Sequence, residues 1–169
     1  VSYRNKTYVA FASEDILYYR LMTAWRSNEN MDFNFFNAHD LFLARDTSLP
    51  ETIRGRLRER MKNAKQIVLL GTPTARYKGG NGSSFLAYEI KLAIEFDLPI
   101  VVANLNKKRT IDTSVIPQPL IDANHYTVSV SFQPAIIQYA LDDYAPAYAA
   151  SGKNGPHYYE PHVYSGLGI

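Results

Sequence analysis

The segment Gln66-Ile67-Val68-Leu69-Leu70-Gly71 constrains this chain more than any other. Its aliphatic residues do not alternate with polar ones, so a strand built from it is apolar on both faces. Such a strand needs helices over both sides of its sheet, which is the situation of a parallel sheet. Two other stretches repeat the logic. Thr7-Tyr8-Val9-Ala10-Phe11 is a short β-branched and aromatic strand with no breaker, and Pro99-Ile100-Val101-Val102-Ala103-Asn104 is another buried one. Asp32-Phe33-Asn34-Phe35-Phe36-Asn37 reads as the second strand in chain order, and Tyr126-Thr127-Val128-Ser129-Val130 alternates as an edge strand.

Helical signals fill the intervals. Ser13 is placed to cap a helix whose positive end faces Glu14 and Asp15, with Leu17, Leu21, Met22 and Trp25 at helical spacing. Ser48-Leu49-Pro50-Glu51 has capping-box spacing with Pro in the first turn, and Ile53, Leu57, Met61 and Ala64 form the apolar stripe that follows. Tyr77 to Gly82 reads as a flexible Gly-rich loop before a Ser84-capped helix reaching Phe96. Pro134 opens a last helix carrying Ile136, Ile137, Ala140 and Leu141. The expected fold is therefore α/β, a flavodoxin-like three-layer sandwich around a parallel five-stranded sheet of order 2-1-3-4-5, spanning residues 1–150. Residues 151–169, rich in Tyr, Pro and Gly, read as an extended C-terminal arm. Six of the 13 tyrosines fall between Tyr139 and Tyr164. Tyr is favoured at interfaces, so an assembly or partner surface is expected there.

Composition removes several chemistries. A chain of 169 residues fits one domain. The absence of Cys excludes disulfides, thiolate metal sites and cysteine nucleophiles, and agrees with a reducing cytoplasm. With 18 basic and 16 acidic residues the net charge is +2, which gives no expectation of a nucleic-acid partner. No apolar run approaches the ~20 residues of a membrane span, and Val1-Ser2-Tyr3-Arg4 raises no expectation of a signal peptide. Gly79-Gly80-Asn81-Gly82 lacks the Lys-Ser/Thr of a phosphate-binding loop, and the first strand ends in Glu14-Asp15 rather than in a glycine fingerprint. A Gly-x-Ser-x-Gly elbow is missing, and His39, His125, His157 and His162 have no metal-ligand spacing, so no metal is expected. The run Arg54, Arg56, Arg58, Arg60, Lys62 reads as the solvated face of its helix.

Open α/β sheets bind ligands beyond the carboxyl ends of their strands, where the strand order reverses. That rule selects Phe11 to Asp15, Asn37 to Asp46 and Gly71 to Glu89. Within the last segment Phe85 and Glu89 stand one helical turn apart and share a face. A carboxylate on an otherwise apolar helix marks a candidate site, although simple solvent exposure of Glu89 explains it equally well.

The pattern Phe85-x-x-Tyr88-Glu89-Ile90-x-x-Ala93 after an apolar strand resembles the TIR-domain family, in which an aromatic residue stands four before a catalytic glutamate. Tyr8 to Ser13 is similar to the first TIR strand and its loop, Phe35-Phe36-Asn37 through Asp46 to the second strand and its loop, and Gln66 to Thr72 to the third strand with its hydroxyl-bearing exit. Phe85 replaces the usual Trp, and Asn37 stands where many TIR domains have Asp. The order of these landmarks over residues 7–145 looks most like the TIR-like group that includes the ThsB proteins of bacterial Thoeris anti-phage systems.

That resemblance implies cleavage of the nicotinamide–ribose bond of NAD+, with NAD+ as substrate and no separate cofactor. Nicotinamide leaves a cation as a neutral molecule, so the leaving group needs no acid; the cost lies in an oxocarbenium-like ribose. One carboxylate suffices, unlike the acid pair of ordinary glycosidases. The implied catalytic residue is Glu89. Phe85 would stack on a ring or simply pack, while Phe11 and Ser13 would line the site, Ser13 also serving as a cap. Asn37, Asp40 and Asp46 are further substrate-binding candidates that turn chemistry explains equally well. Water as acceptor gives ADP-ribose, an internal hydroxyl gives a cyclic isomer, and another small molecule gives a conjugate. The resemblance implies a small nucleotide signal read by a separate effector, a homo-oligomer, and an activity that waits for a phage trigger. A non-catalytic TIR scaffold and a nucleotide sensor are the competing expectations.

Overall fold

The computed structural model describes residues 6–31, 33–35 and 50–169. Five strands form one all-parallel sheet in the order β1 to β5: β1 (Thr7–Ala10), β2 (Gln66–Gly71), β3 (Ile100–Asn104), β4 (Thr127–Ser131) and β5 (Pro156–Tyr158). Seven helices stand between or after them among the described residues: α1 (Ile16–Ser27), α2 (Pro50–Asn63), α3 (Pro73–Gly79), α4 (Phe85–Glu95), α5 (Gln118–Asp122), α6 (Pro134–Ser151) and α7 (Pro161–Gly166).

The strands sort their residues by parity, as a pleated sheet requires. Tyr8, Ala10, Ile67, Leu69, Ile100 and Val102 face a core closed by Ile53, Leu57 and Met61 of α2 and by Leu86, Ile90 and Ala93 of α4. Val9, Val68, Leu70, Val101, Val128 and Val130 face the opposite core, under Tyr19 and Met22 of α1 and Ile136, Ile137 and Leu141 of α6. Both faces of β2 are thus covered, which is why its sequence has no polar alternation. The α/β, flavodoxin-like architecture expected from the sequence is present.

Several local expectations differ. The four strands expected as 1-3-4-5 are neighbours in that order, but Phe33–Phe35, expected inside a strand, do not form one; Phe33 and Phe35 are buried, against Trp25 and Tyr19 respectively. β4 is not an edge, because β5 pairs with it through Thr127↔Pro156 and Ser129↔Tyr158. The segment expected as an extended arm therefore supplies a strand and a helix. Tyr164 is fully buried, its hydroxyl accepts from the Ser131 amide at 3.1 Å, and the Arg109 guanidinium lies 4.4 Å from its ring. The tyrosines of this region are largely internal fasteners rather than a free surface. Tyr144 accepts from the Ile100 amide and donates to the Tyr126 carbonyl, and Tyr159 donates to Asp143. Aromatic rings carry a large apolar area and one polar tip, which suits the ends of buried strands.

On α1 the buried residues are Tyr19 and Met22, whereas Leu17 and Leu21 are exposed. Half of the stretch expected as a flexible loop, Tyr77 to Gly79, is the last turn of α3. Gly79 closes it against α5, where a Cβ would come within 2.6 Å of Pro117 Cγ, so only glycine allows that approach.

Candidate active site

β1 and β2 are adjacent and parallel, so their carboxyl ends open at the same pole. Beyond β1, Phe11 and Ala12 remain buried, and the chain then makes a 3-10 turn over Ser13–Asp15, closed by the Asp15 amide on the Ala12 carbonyl at 2.8 Å. Ser13 does not cap α1, since the turn places Asp15 at the helix start with no side-chain cap. Beyond β2, Thr72 begins α3 and its hydroxyl works in two directions. It accepts from the Ala75 amide at 3.0 Å, capping the helix, and donates to Asp15 Oδ2 at 2.7 Å. One hydroxyl thus ties the exits of the two strands together.

Asp15 is 9% exposed. Burial raises its pKa above the ordinary aspartate value because the charged form loses hydration, and the Glu14 charge adds to this; the Thr72 hydrogen bond and the Lys78 charge oppose it. Its neighbour Glu14 is exposed and held below the usual range, chiefly by a hydrogen bond from Lys78. Lys78 Nζ lies 2.5 Å from Glu14 Oε1 and 3.4 Å from Ser13 Oγ. The backbone of Lys78 makes the second link, its carbonyl accepting from Ser84 Oγ at 2.5 Å. Ser84 in turn caps α4 by accepting from the Ala87 amide at 2.9 Å. The β1 exit and the first turn of α4 are therefore held together through one lysine.

Phe85 and Glu89 rise from that turn. Glu89 is 2% exposed, so it is not the solvated surface acid that its sequence also allowed. It sits on the inner side of α4 together with Leu86, Leu92 and Ala93, and Leu86 shares its core with Ala10, Ala12 and Ala75. An ionisable group in such a place is uncommon without a specific role. Phe85 is half-buried beside the same core. Phe11 goes to the other side of the sheet, stacked on Tyr19 with ring centres 4.7 Å apart, which makes it part of the core under α1. Of the sequence-predicted residues, the structure thus gathers Ser13, Phe85 and Glu89 around the exits of β1 and β2 and places Phe11 behind them. Asn37, Asp40 and Asp46 lie outside the described residues.

Three residues of this region were not singled out from the sequence as site candidates. In the sequence Asp15 reads as a helix-dipole partner, Thr72 as a strand exit and Lys78 as part of a loop. All lie within two of the three segments that the switch-point rule selects, so position is the available signal. Among the described residues, no group of three or more His, Cys, Asp or Glu is arranged to hold a metal ion. At the opposite pole of the strands, a cavity of about 280 Å³ lies around Asp97, His125 and Tyr148; these side chains are engaged with one another, Tyr148 donating to Asp97 at 2.7 Å and lying 3.2 Å from His125 Nε2.

The family described as "Thoeris protein ThsB, TIR-like domain" matches residues 8–110, more than half of the chain and every residue named above at the exits of β1 and β2. No curated protein matches the sequence. The span of that match, from β1 through α4 to the loop after β3, together with the parallel sheet it runs through, means that this chain belongs to the Thoeris ThsB TIR-like domain family.

Proposed function

We propose that this TIR-type anti-phage defence protein cleaves the nicotinamide–ribose bond of NAD+ and converts the ADP-ribosyl part into a small, cyclised nucleotide signal for a separate effector. The observation that carries the reading is the burial of Glu89 one turn from Phe85, beside the joined exits of β1 and β2. In a site shielded from water a carboxylate acts strongly on a developing positive charge, because little solvent screens it. Glu89 stabilises the oxocarbenium-like ribose, or grips its hydroxyls, as nicotinamide departs neutral. Phe85 offers an aromatic face to a ring of the substrate. No cofactor is needed, since the dinucleotide is itself consumed. The reaction belongs in the cytoplasm, where NAD+ is available, and a homo-oligomer or a phage-derived trigger completes the active state.

An interaction module is favoured by a different observation. Leu17, Tyr18 and Leu21 of α1 are exposed at 69%, 43% and 44%, an apolar face suited to contact with another protein. Purified protein incubated with NAD+, with and without phage-infected lysate, separates the two. Nicotinamide and an ADP-ribose-derived product seen by chromatography and mass spectrometry support the enzyme; absence of turnover in both conditions supports the module.

A further inference from the structure

Cleavage alone does not make a signal, and the second half of the reaction has a proton to dispose of. When a hydroxyl attacks the ribosyl cation, its oxygen becomes positively charged until the proton leaves. A group near the site that holds a proton-accepting oxygen is required for that step, and Glu89, engaged with the ribose, is already committed. The pole carries a second buried carboxylate. Asp15 is fixed by the short turn at the end of β1, and its Oδ2 accepts from Thr72. Its Oδ1 has no hydrogen-bond partner among the described residues, and the side chain is not fully buried. Glu14 is drawn off to Lys78, which leaves Asp15 as the acid of this turn that points inward.

We propose that Asp15 is the general base of the acceptor step, a second catalytic carboxylate that takes the proton from the attacking hydroxyl. This rests on the NAD+-cleaving reading above. The C1′–nitrogen bond breaks and its electron pair leaves with neutral nicotinamide. A lone pair of the acceptor oxygen forms the new C1′–oxygen bond, and the acceptor's proton passes to Asp15 Oδ1 and then to solvent. Thr72, donating to the other oxygen, fixes the plane of the carboxylate and opposes the upward pull of burial on its pKa. Burial in turn makes the ionised form a better proton acceptor than an ordinary aspartate. The charged groups that bear on Asp15 are Glu14 and Lys78, which act in opposite directions.

The division of labour is testable because nicotinamide release and acceptor capture are separate readouts. Asp15→Asn keeps the side-chain shape and can still accept from Thr72. Triggered wild type, Asp15→Asn and Glu89→Gln are compared for nicotinamide released and for cyclised product per nicotinamide, across pH. Loss of a general base costs on the order of 10²-fold in the step it serves. In Asp15→Asn the cyclised product per nicotinamide released is expected to fall at least tenfold in favour of ADP-ribose, and the acid limb of product formation to flatten. Since water can pass its proton to solvent, hydrolysis suffers less. An unchanged cyclised fraction and pH profile in Asp15→Asn, with wild type active and Glu89→Gln inactive, overturns the role of Asp15 alone. Absence of nicotinamide release from wild type overturns the underlying reading instead. If Asp15→Asn melts well below wild type, Asp15→Glu is the second variant: a Glu protein that melts like wild type and cyclises better than Asp15→Asn supports a base, and one that melts like wild type but cyclises no better refutes it.

Discussion

Tyr144→Phe removes one oxygen from the middle of the fold and should cost far more than a surface change. The hydroxyl accepts from the Ile100 amide at 2.8 Å and donates to the Tyr126 carbonyl at 2.7 Å. Ile100 opens the central strand β3 and is fully buried, so no water replaces the lost acceptor. Burial holds the phenol far above its ordinary pKa, so it is a neutral hydroxyl throughout the working range. A buried hydrogen bond contributes about 1 kcal/mol net, and a stranded buried amide costs a further ~1–3 kcal/mol. The sum is about 2–4 kcal/mol. For a domain of this size that lowers the melting temperature by about 4–16 °C. Urea unfolding followed by circular dichroism measures it directly, with Tyr139→Phe as the control, because Tyr139 makes a ring contact with Tyr159. A Tyr144→Phe midpoint as close to wild type as that control would refute the account of these tyrosines as strand-end fasteners.

Two further outcomes follow from the packing. Removal of residues 154–169 takes away β5 and the buried Tyr164 ring together, and losing a buried aromatic ring alone costs about 3–5 kcal/mol. The shortened chain should lose its cooperative melt, whereas an unchanged melt with altered association would restore the arm reading. Asp112 binds the Ser114 hydroxyl and amide, Asn106 and Lys108, which holds its carboxyl well below the usual range. A depressed folded pKa adds stability above the unfolded value of about 3.9 and loses it as pH falls through the folded one. Asp112→Asn should therefore be less stable than wild type by about 1–2 kcal/mol at pH 7, with the gap closing toward pH 2. A gap independent of pH in urea titrations would show that the charge plays no part.

Much of this fold was legible because its signals are local. The unalternating aliphatics of β2 require cover on both faces, and the Ser84 cap and the Ile53, Leu57, Met61 stripe appear where their spacing put them. What escaped depended on partners distant in sequence. β4 reads as an edge until Pro156–Tyr158 arrives beside it, and Tyr164 reads as part of a partner surface until Ser131 is known to need an acceptor. Leu17 and Leu21 have helical spacing, yet the helix turns Tyr19 and Met22 inward, because Phe11 and Phe35 offer Tyr19 ring contacts. At the site, Glu89 was visible as a carboxylate on an apolar helix. Asp15 was not, since a Ser-Glu-Asp helix start has an ordinary explanation; its inward turn depends on Thr72, 57 residues away.

The central claim is that Glu89 performs the cleavage. Nicotinamide release from NAD+ by triggered wild type and by Glu89→Gln, both checked for the same melting temperature, tests it most directly. The isosteric amide keeps the shape and removes the charge, so the account expects release to fall by at least about 10²-fold. Undiminished release by a folded Glu89→Gln protein would contradict it.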